Sequence, residues 1–162
     1  MPERYTVRVT KDYLVFCSGH FITYHGSQCE RLHGHNYRVA AEVEAALDDN
    51  HYVFDFIALK NLMRQLTDEL DHRMLVPTRS KLIAVEETAS EVRLRFRDKE
   101  WAFPREDCVL LPIENTTAEL LARYLAGRLR EALRDDHKFV PDVMRVEVEE
   151  SFGQVARYEW RK

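Results

Sequence analysis

The sequence predicts an α+β domain, an antiparallel sheet with two helices packed on one face. Three observations predict it. Several segments are rich in β-branched and aromatic residues or alternate apolar with polar ones, and two longer segments repeat their apolar residues at helical spacing. Apart from an inserted hairpin, their order is β β α α β β. A sheet of four strands leaves two open edges, which predicts pairing with other copies of the chain.

The first strand is read over "RYTVRVTKDYLVFCSGHF". The second, "HNYRVAAEVEAAL", alternates Tyr37, Val39, Ala41 and Val43. In "DFIALKNLMRQLTDEL" the residues Phe56, Leu59, Leu62, Met63, Leu66 and Leu70 fall on one helical stripe, with Asp55 as N-cap. "EVRLRFRDKEWAF" reads as an inserted β-hairpin around 80–110, turning at Asp98-Lys99. "TTAELLARYLAGRLREAL" is the second helix, with Thr116 and Glu119 as a capping box. "DVMRVEVEESFGQVARYEW" supplies two last strands around Ser151 to Gly153.

The 162 residues suit one domain over 1–162, and 45 % hydrophobic residues suffice for a core. The net charge of −4 argues against a general nucleic-acid or membrane-surface binder, because both attract a basic face. No apolar run approaches the roughly 20 residues of a membrane span. "MPERYTVRVT" carries charges where a secretory signal is apolar, so the expected compartment is cytoplasmic. Three cysteines without a CxxC pair do not form a disulfide framework. Cys17 and Cys108 lie in apolar surroundings and are expected in the core, whereas Cys29 lies among polar residues.

The chemistry concentrates in "CERLHGHNY". On a strand, His33 and His35 point to one face, and Gly34 between them removes bulk. A catalytic zinc takes three protein ligands and keeps a fourth position open. His20, at the end of the first strand, is the best third ligand, since pairing of the first two strands brings it close; His25, in a polar loop, is the reserve. Three neutral imidazoles leave the ion cationic, which polarises bound oxygens and acidifies adjacent C–H bonds. The same charge favours the thiolate of Cys29, a candidate base or nucleophile. Asp71 and His72 follow the first helix, where the Asp can orient the ring; on spacing alone a capping histidine beside a solvated Asp is the better reading. Glu149 and Glu150 face opposite sides of a strand, and a buried one needs a partner or a ligand. Glu119 is explained by its capping box and ranks below Glu150.

Taken together, "FCSGH", "CERLHGHNY", "VFDF", "LDHRML", "TAE" and "VEVEES" resemble the 6-pyruvoyltetrahydropterin synthase / 6-carboxytetrahydropterin synthase family over most of the chain. The resemblance implies zinc on His20, His33 and His35, Cys29 as catalytic base and Asp71-His72 as its proton-transfer partner. It implies that Glu150 anchors the pterin ring, with Thr117 and Glu119 nearby. It implies the tunnelling fold (T-fold), with subunits in trimers that stack into hexamers and active sites between subunits. The implied substrate is 7,8-dihydroneopterin triphosphate. Three residues between the cysteine and HGH favour the branch that releases acetaldehyde and triphosphate and forms 6-carboxy-5,6,7,8-tetrahydropterin for queuosine synthesis. The pyruvoyl branch, and a divergent pterin-binding paralogue with another substrate, are the alternatives.

Three departures stand out. Leu120 replaces the usual Asn after Thr117-Ala118-Glu119, and Ser151 follows Glu150 in place of Thr. The 76–116 segment is longer than expected for the carboxy branch. Its Arg93, Arg95 and Arg97 could touch a triphosphate or a neighbouring subunit, but a solvated strand face is the favoured reading.

Overall fold

The computed structural model describes residues 3–162. β1 (Tyr5–His20) and β4 (His33–Ala45) form a long antiparallel pair. Between them β2 (Thr23–Tyr24) and β3 (Gln28–Cys29) make a small ladder of their own. The helix α1 (Phe56–Asp68) leads to β5 (Arg73–Pro77). Next come β6 (Ala84–Glu87), β7 (Glu91–Phe96) and β8 (Lys99–Pro104), a separate three-stranded sheet. β9 (Cys108–Leu111), α2 (Ala118–His137), β10 (Val143–Ser151) and β11 (Gln154–Arg161) complete the chain.

The main sheet has six strands in the order β11-β10-β4-β1-β5-β9. Four are antiparallel, as expected. β5 and β9 are absent from the expected plan: β5 joins the edge of β1 and β9 joins β5, both pairings parallel. Their side chains explain why. "RMLVP" and "CVLL" are short apolar runs with no alternation, as is usual for parallel strands covered on both faces. The inserted hairpin is present, but its turn residues are Arg97-Asp98, one position before the expected turn. Arg97 takes φ 55°, the left-handed conformation such tight turns need.

Both helices lie on one face of the main sheet. Leu59 and Met63 of α1 and Leu125 and Leu129 of α2 are fully buried against Phe16, Tyr37 and Val146. The opposite face carries a lattice of charges, with Arg145 held among Glu42, Glu44 and Glu159. A second apolar cluster joins the inserted sheet to the main one: Val92, Leu94 and Phe96 pack with Phe21, Met74 and Val76. Cys108 belongs to this cluster and is buried as expected. Cys17 is not: its strand position points it to the charged face, where it is exposed.

The cap of α2 also differs from expectation. Thr117, not Thr116, is the N-cap, and its side chain accepts a hydrogen bond from the amide of Leu120. Thr116 is fully buried instead, one residue short of the helix. Glu119 is therefore not a capping-box residue, and the reason for ranking it below Glu150 disappears.

Candidate functional site

At one end of the helix-covered face, β1 and β4 bring three histidines together. The register pairs His20 with His33, and Ser18 with His35. Gly34 permits this approach, because a Cβ there would lie 3.0 Å from the Ser18 carbonyl oxygen. One ligand nitrogen from each of His20, His33 and His35 can be chosen so that all lie within 4.8 Å of one another. His20 donates from Nδ1 to the carbonyl of Thr116 at 3.0 Å, and His33 from Nδ1 to the carbonyl of Arg31 at 2.7 Å. A carbonyl only accepts, so both rings carry their proton on Nδ1 and present a lone pair at Nε2. The Nε2 atoms of His20 and His35 are buried without a hydrogen-bond partner. The donor set, the tautomers and the partnerless nitrogens all fit a divalent ion bound by three imidazoles. Burial, opposed by the Thr116 hydrogen bond, pushes the His20 pKa down to about 4, so that ring is neutral and ready to ligate at pH 7. His25, the reserve ligand, sits in the β2–β3 turn at φ 49° and is not part of the group.

Cys29 stands on β3, opposite Thr23. That short ladder is fixed from two sides. Asn115 donates to the Thr23 carbonyl at 2.9 Å, and Glu30 exchanges backbone and side-chain hydrogen bonds with Ile22. Partial burial raises the Cys29 thiol above its ordinary pKa; Lys99 pulls it down and Glu30 pushes it up. Lys99 stands at the start of β8 in the inserted sheet. It shares a β8 face with Trp101, whose ring stacks on Phe21 at 4.3 Å. Arg93 and Arg95 lie on the other face of β7, away from the apolar cluster and toward solvent, as the solvated-face reading expects.

Glu150, Glu119 and Thr117, three positions far apart in sequence, line one cavity of about 370 Å³ with Ile22, Gln154 and Val155. Glu150 reaches toward the triad, with Oε1 3.5 Å from His35 Nε2. Two residues at the site escaped the sequence reading. Glu30 has Oε2 3.9 Å from His33 Nε2, and nothing in its spacing sets it apart from a spacer residue. Tyr37 is the other: period two sets it on the face of His33 and His35, and it is fully buried beside them.

Asp71 and His72 do form a pair. Asp71 accepts from His72 Nδ1 at 2.8 Å and from the amide of Cys17 at 2.7 Å. Slight burial works against it, yet these hydrogen bonds hold the carboxyl below its ordinary pKa. His72 adopts φ 56°, a conformation uncommon outside glycine, and its side chain is 81 % exposed. Among the described residues, no hydrogen bond or ring contact joins this pair to the triad or to Cys29.

Comparison with known proteins adds the following. A family model described as 6-pyruvoyl tetrahydropterin synthase matches residues 8–161. A Methanocaldococcus jannaschii protein, provisionally named as a 6-carboxy-5,6,7,8-tetrahydropterin synthase, is 32 % identical over 146 residues, covering 90 % of this chain and 89 % of its own. The structure of Plasmodium vivax 6-pyruvoyltetrahydropterin synthase superposes with a TM-score of 0.91 at 29 % identity, covering 99 % of this chain and 100 % of that one. The Plasmodium falciparum enzyme of the same name gives 0.90 at 30 % identity, with the same coverage. Two of the P. vivax structures carry alanine or cysteine in place of a glutamate described as a catalytic residue.

Proposed function

Because the chain belongs to the 6-pyruvoyl tetrahydropterin synthase family, we propose that it is a zinc-dependent lyase. The proposed reaction converts 7,8-dihydroneopterin triphosphate to 6-carboxy-5,6,7,8-tetrahydropterin, acetaldehyde and triphosphate, a step toward deazapurines such as queuosine. The observation that carries this reading is the triad itself: three converging histidines, two with buried Nε2 atoms that have no hydrogen-bond partner, set beside the cavity that holds Glu150 and Glu119. Zinc bound there would supply a Lewis acid for the hydroxyls of the substrate side chain.

The chain's own residues supply the rest. The Glu150 carboxylate has two oxygens, which accept from a ring N–H and an exocyclic amine in parallel. Thr117 and Glu119 line the same cavity and close on the ring from α2. Cys29 removes the proton from the side-chain carbon, and its partly buried thiol needs a nearby cation to ionise. Asp71 fixes the ring of His72, which exchanges protons with the substrate. The exposure of His72, apart from the triad of its own chain, supports a site shared between subunits, so that the pair serves a neighbouring chain in a trimer or hexamer.

A second reading has its own support. The P. vivax and P. falciparum structures, at TM-scores of 0.91 and 0.90, both carry the pyruvoyl synthase name. In P. vivax the residue described as catalytic is a glutamate. Glu30, next to Cys29 in sequence and 3.9 Å from His33 Nε2, is one of two glutamates beside the triad, and in this reading it shares or replaces the role of Cys29.

The test is to give zinc-loaded protein 7,8-dihydroneopterin triphosphate and identify the product by mass spectrometry, with an acetaldehyde assay alongside. Carboxytetrahydropterin with acetaldehyde supports the first reading. Pyruvoyl pterin without acetaldehyde supports the second, and no turnover sinks both. Cys29→Ala and Glu30→Gln, assayed separately, then show which side chain moves the proton.

A further inference from the structure

Only three buried side-chain polar atoms among the described residues have no hydrogen-bond partner: His20 Nε2, His35 Nε2 and the hydroxyl of Tyr37. The first two belong to the triad. Leaving a buried hydroxyl unpaired is costly, so the third calls for a reason of the same kind.

Its position supplies one. Tyr37 follows His35 by two residues on β4 and shares its face. Its ring stacks on Phe16 of β1 at 4.6 Å, with 16° between the planes. The rings of His20 and His35 meet it edge-on, at 5.7 and 5.4 Å between centroids. The packing therefore fixes the ring, and its hydroxyl cannot swing out to water. The buried ring lies against two rings of the triad, and its hydroxyl is available as a hydrogen-bond donor there.

We propose that Tyr37 is a ligand-binding residue, whose hydroxyl donates a hydrogen bond to the oxygen of a ligand held at the open position of the metal centre. The class of ligand is an oxygen donor, such as a hydroxyl, an alkoxide or a hydroxamate. The assignment rests on reading the triad as a metal site, and not on the identity of the pterin reaction.

The test uses cobalt-substituted protein, whose visible spectrum reports the metal's ligands, titrated with acetohydroxamate. Tyr37→Phe removes one oxygen and keeps the packed ring. The variant is expected to bind cobalt with unchanged stoichiometry and to bind acetohydroxamate about tenfold more weakly. Its thermal midpoint is expected to stay level or rise, because an unpaired buried hydroxyl has gone. A purely structural tyrosine would move the midpoint and leave the hydroxamate affinity alone. Equal affinity in the two proteins, or a wild-type spectrum that ignores acetohydroxamate, would overturn the assignment. Wild-type protein that takes up no cobalt would remove the metal-site reading and this assignment with it. Failure of the pterin reaction alone would touch neither.

Discussion

His20 is the side chain whose burial has the clearest consequence for stability. Its pKa is 6.5 in the open chain and about 4 in the fold, chiefly through loss of solvent. Above pH 6.5 both states are neutral and the difference is silent. As pH falls from 6.5 to 4, the unfolded chain takes up the proton and the native one does not, so stability is lost across that window. The loss for metal-free protein reaches about 3 kcal/mol, as a shift of this size implies. Chemical denaturation at pH 7 and pH 4.5 checks it, and equal unfolding free energies would contradict it. Bound zinc should hold off the loss to lower pH, because the proton must compete with the metal for the same nitrogen. The residues behind this were legible early. An HxH pair on a strand projects two rings to one face, and pairing of adjacent strands brings in His20. Glu30 and Tyr37 were not legible as members of the site. Nothing in spacing distinguishes a spacer glutamate from one folded back 3.9 Å from a ligand nitrogen, or a core tyrosine from one with a partnerless hydroxyl.

At the scale of elements, the two threonines before α2 do different jobs: Thr116 is buried and its carbonyl accepts from His20. Thr117 caps the helix, so Thr117→Ala should cost about 1 kcal/mol of stability and leave zinc affinity unchanged. Thermal unfolding with parallel metal titration would show it, and a loss of zinc affinity in this variant would mean that the cap also supports the triad. The sequence predicts the cap at Thr116, and only the hydrogen bonds move it to Thr117. The inserted sheet makes a second prediction. Its inner face ends in Lys99, whose charge lowers the Cys29 pKa against the burial that raises it. Removing that charge should slow alkylation of Cys29 at pH 7 several-fold in Lys99→Met, while Lys99→Arg keeps the wild-type rate. The exposed Cys17 must first be replaced by Ser so that it does not compete for the reagent. Identical rates in all three proteins would detach the insertion from the site. The hairpin of this insertion was legible because its strands alternate. β5 and β9 were not, because short unbroken apolar runs carry no period to read.

At the scale of the whole molecule, the chain carries all parts of the candidate site but does not assemble them. The triad and the Glu150 cavity gather at one end of the helix-covered face. The Asp71–His72 pair is tied instead to the amide and carbonyl of Cys17, with its imidazole turned to solvent. The open edges of β11 and β9 give the sheet a route to pair with other copies. If the pair of one copy serves the triad of the next, two differently disabled chains should repair each other. His33→Ala removes a metal ligand and leaves the pair intact. His72→Asn removes the imidazole, and asparagine tolerates the left-handed backbone at that position. Each variant alone should be inactive. Co-expressed with different tags and purified through both, the mixed oligomer should regain activity in about a quarter of its sites, the share expected from random assortment around a closed ring. Zinc content would report independently that half of the chains still bind metal. A mixed oligomer with that half zinc content and no activity would place the whole site within one chain, and the Asp71–His72 turn would then have to move to reach it.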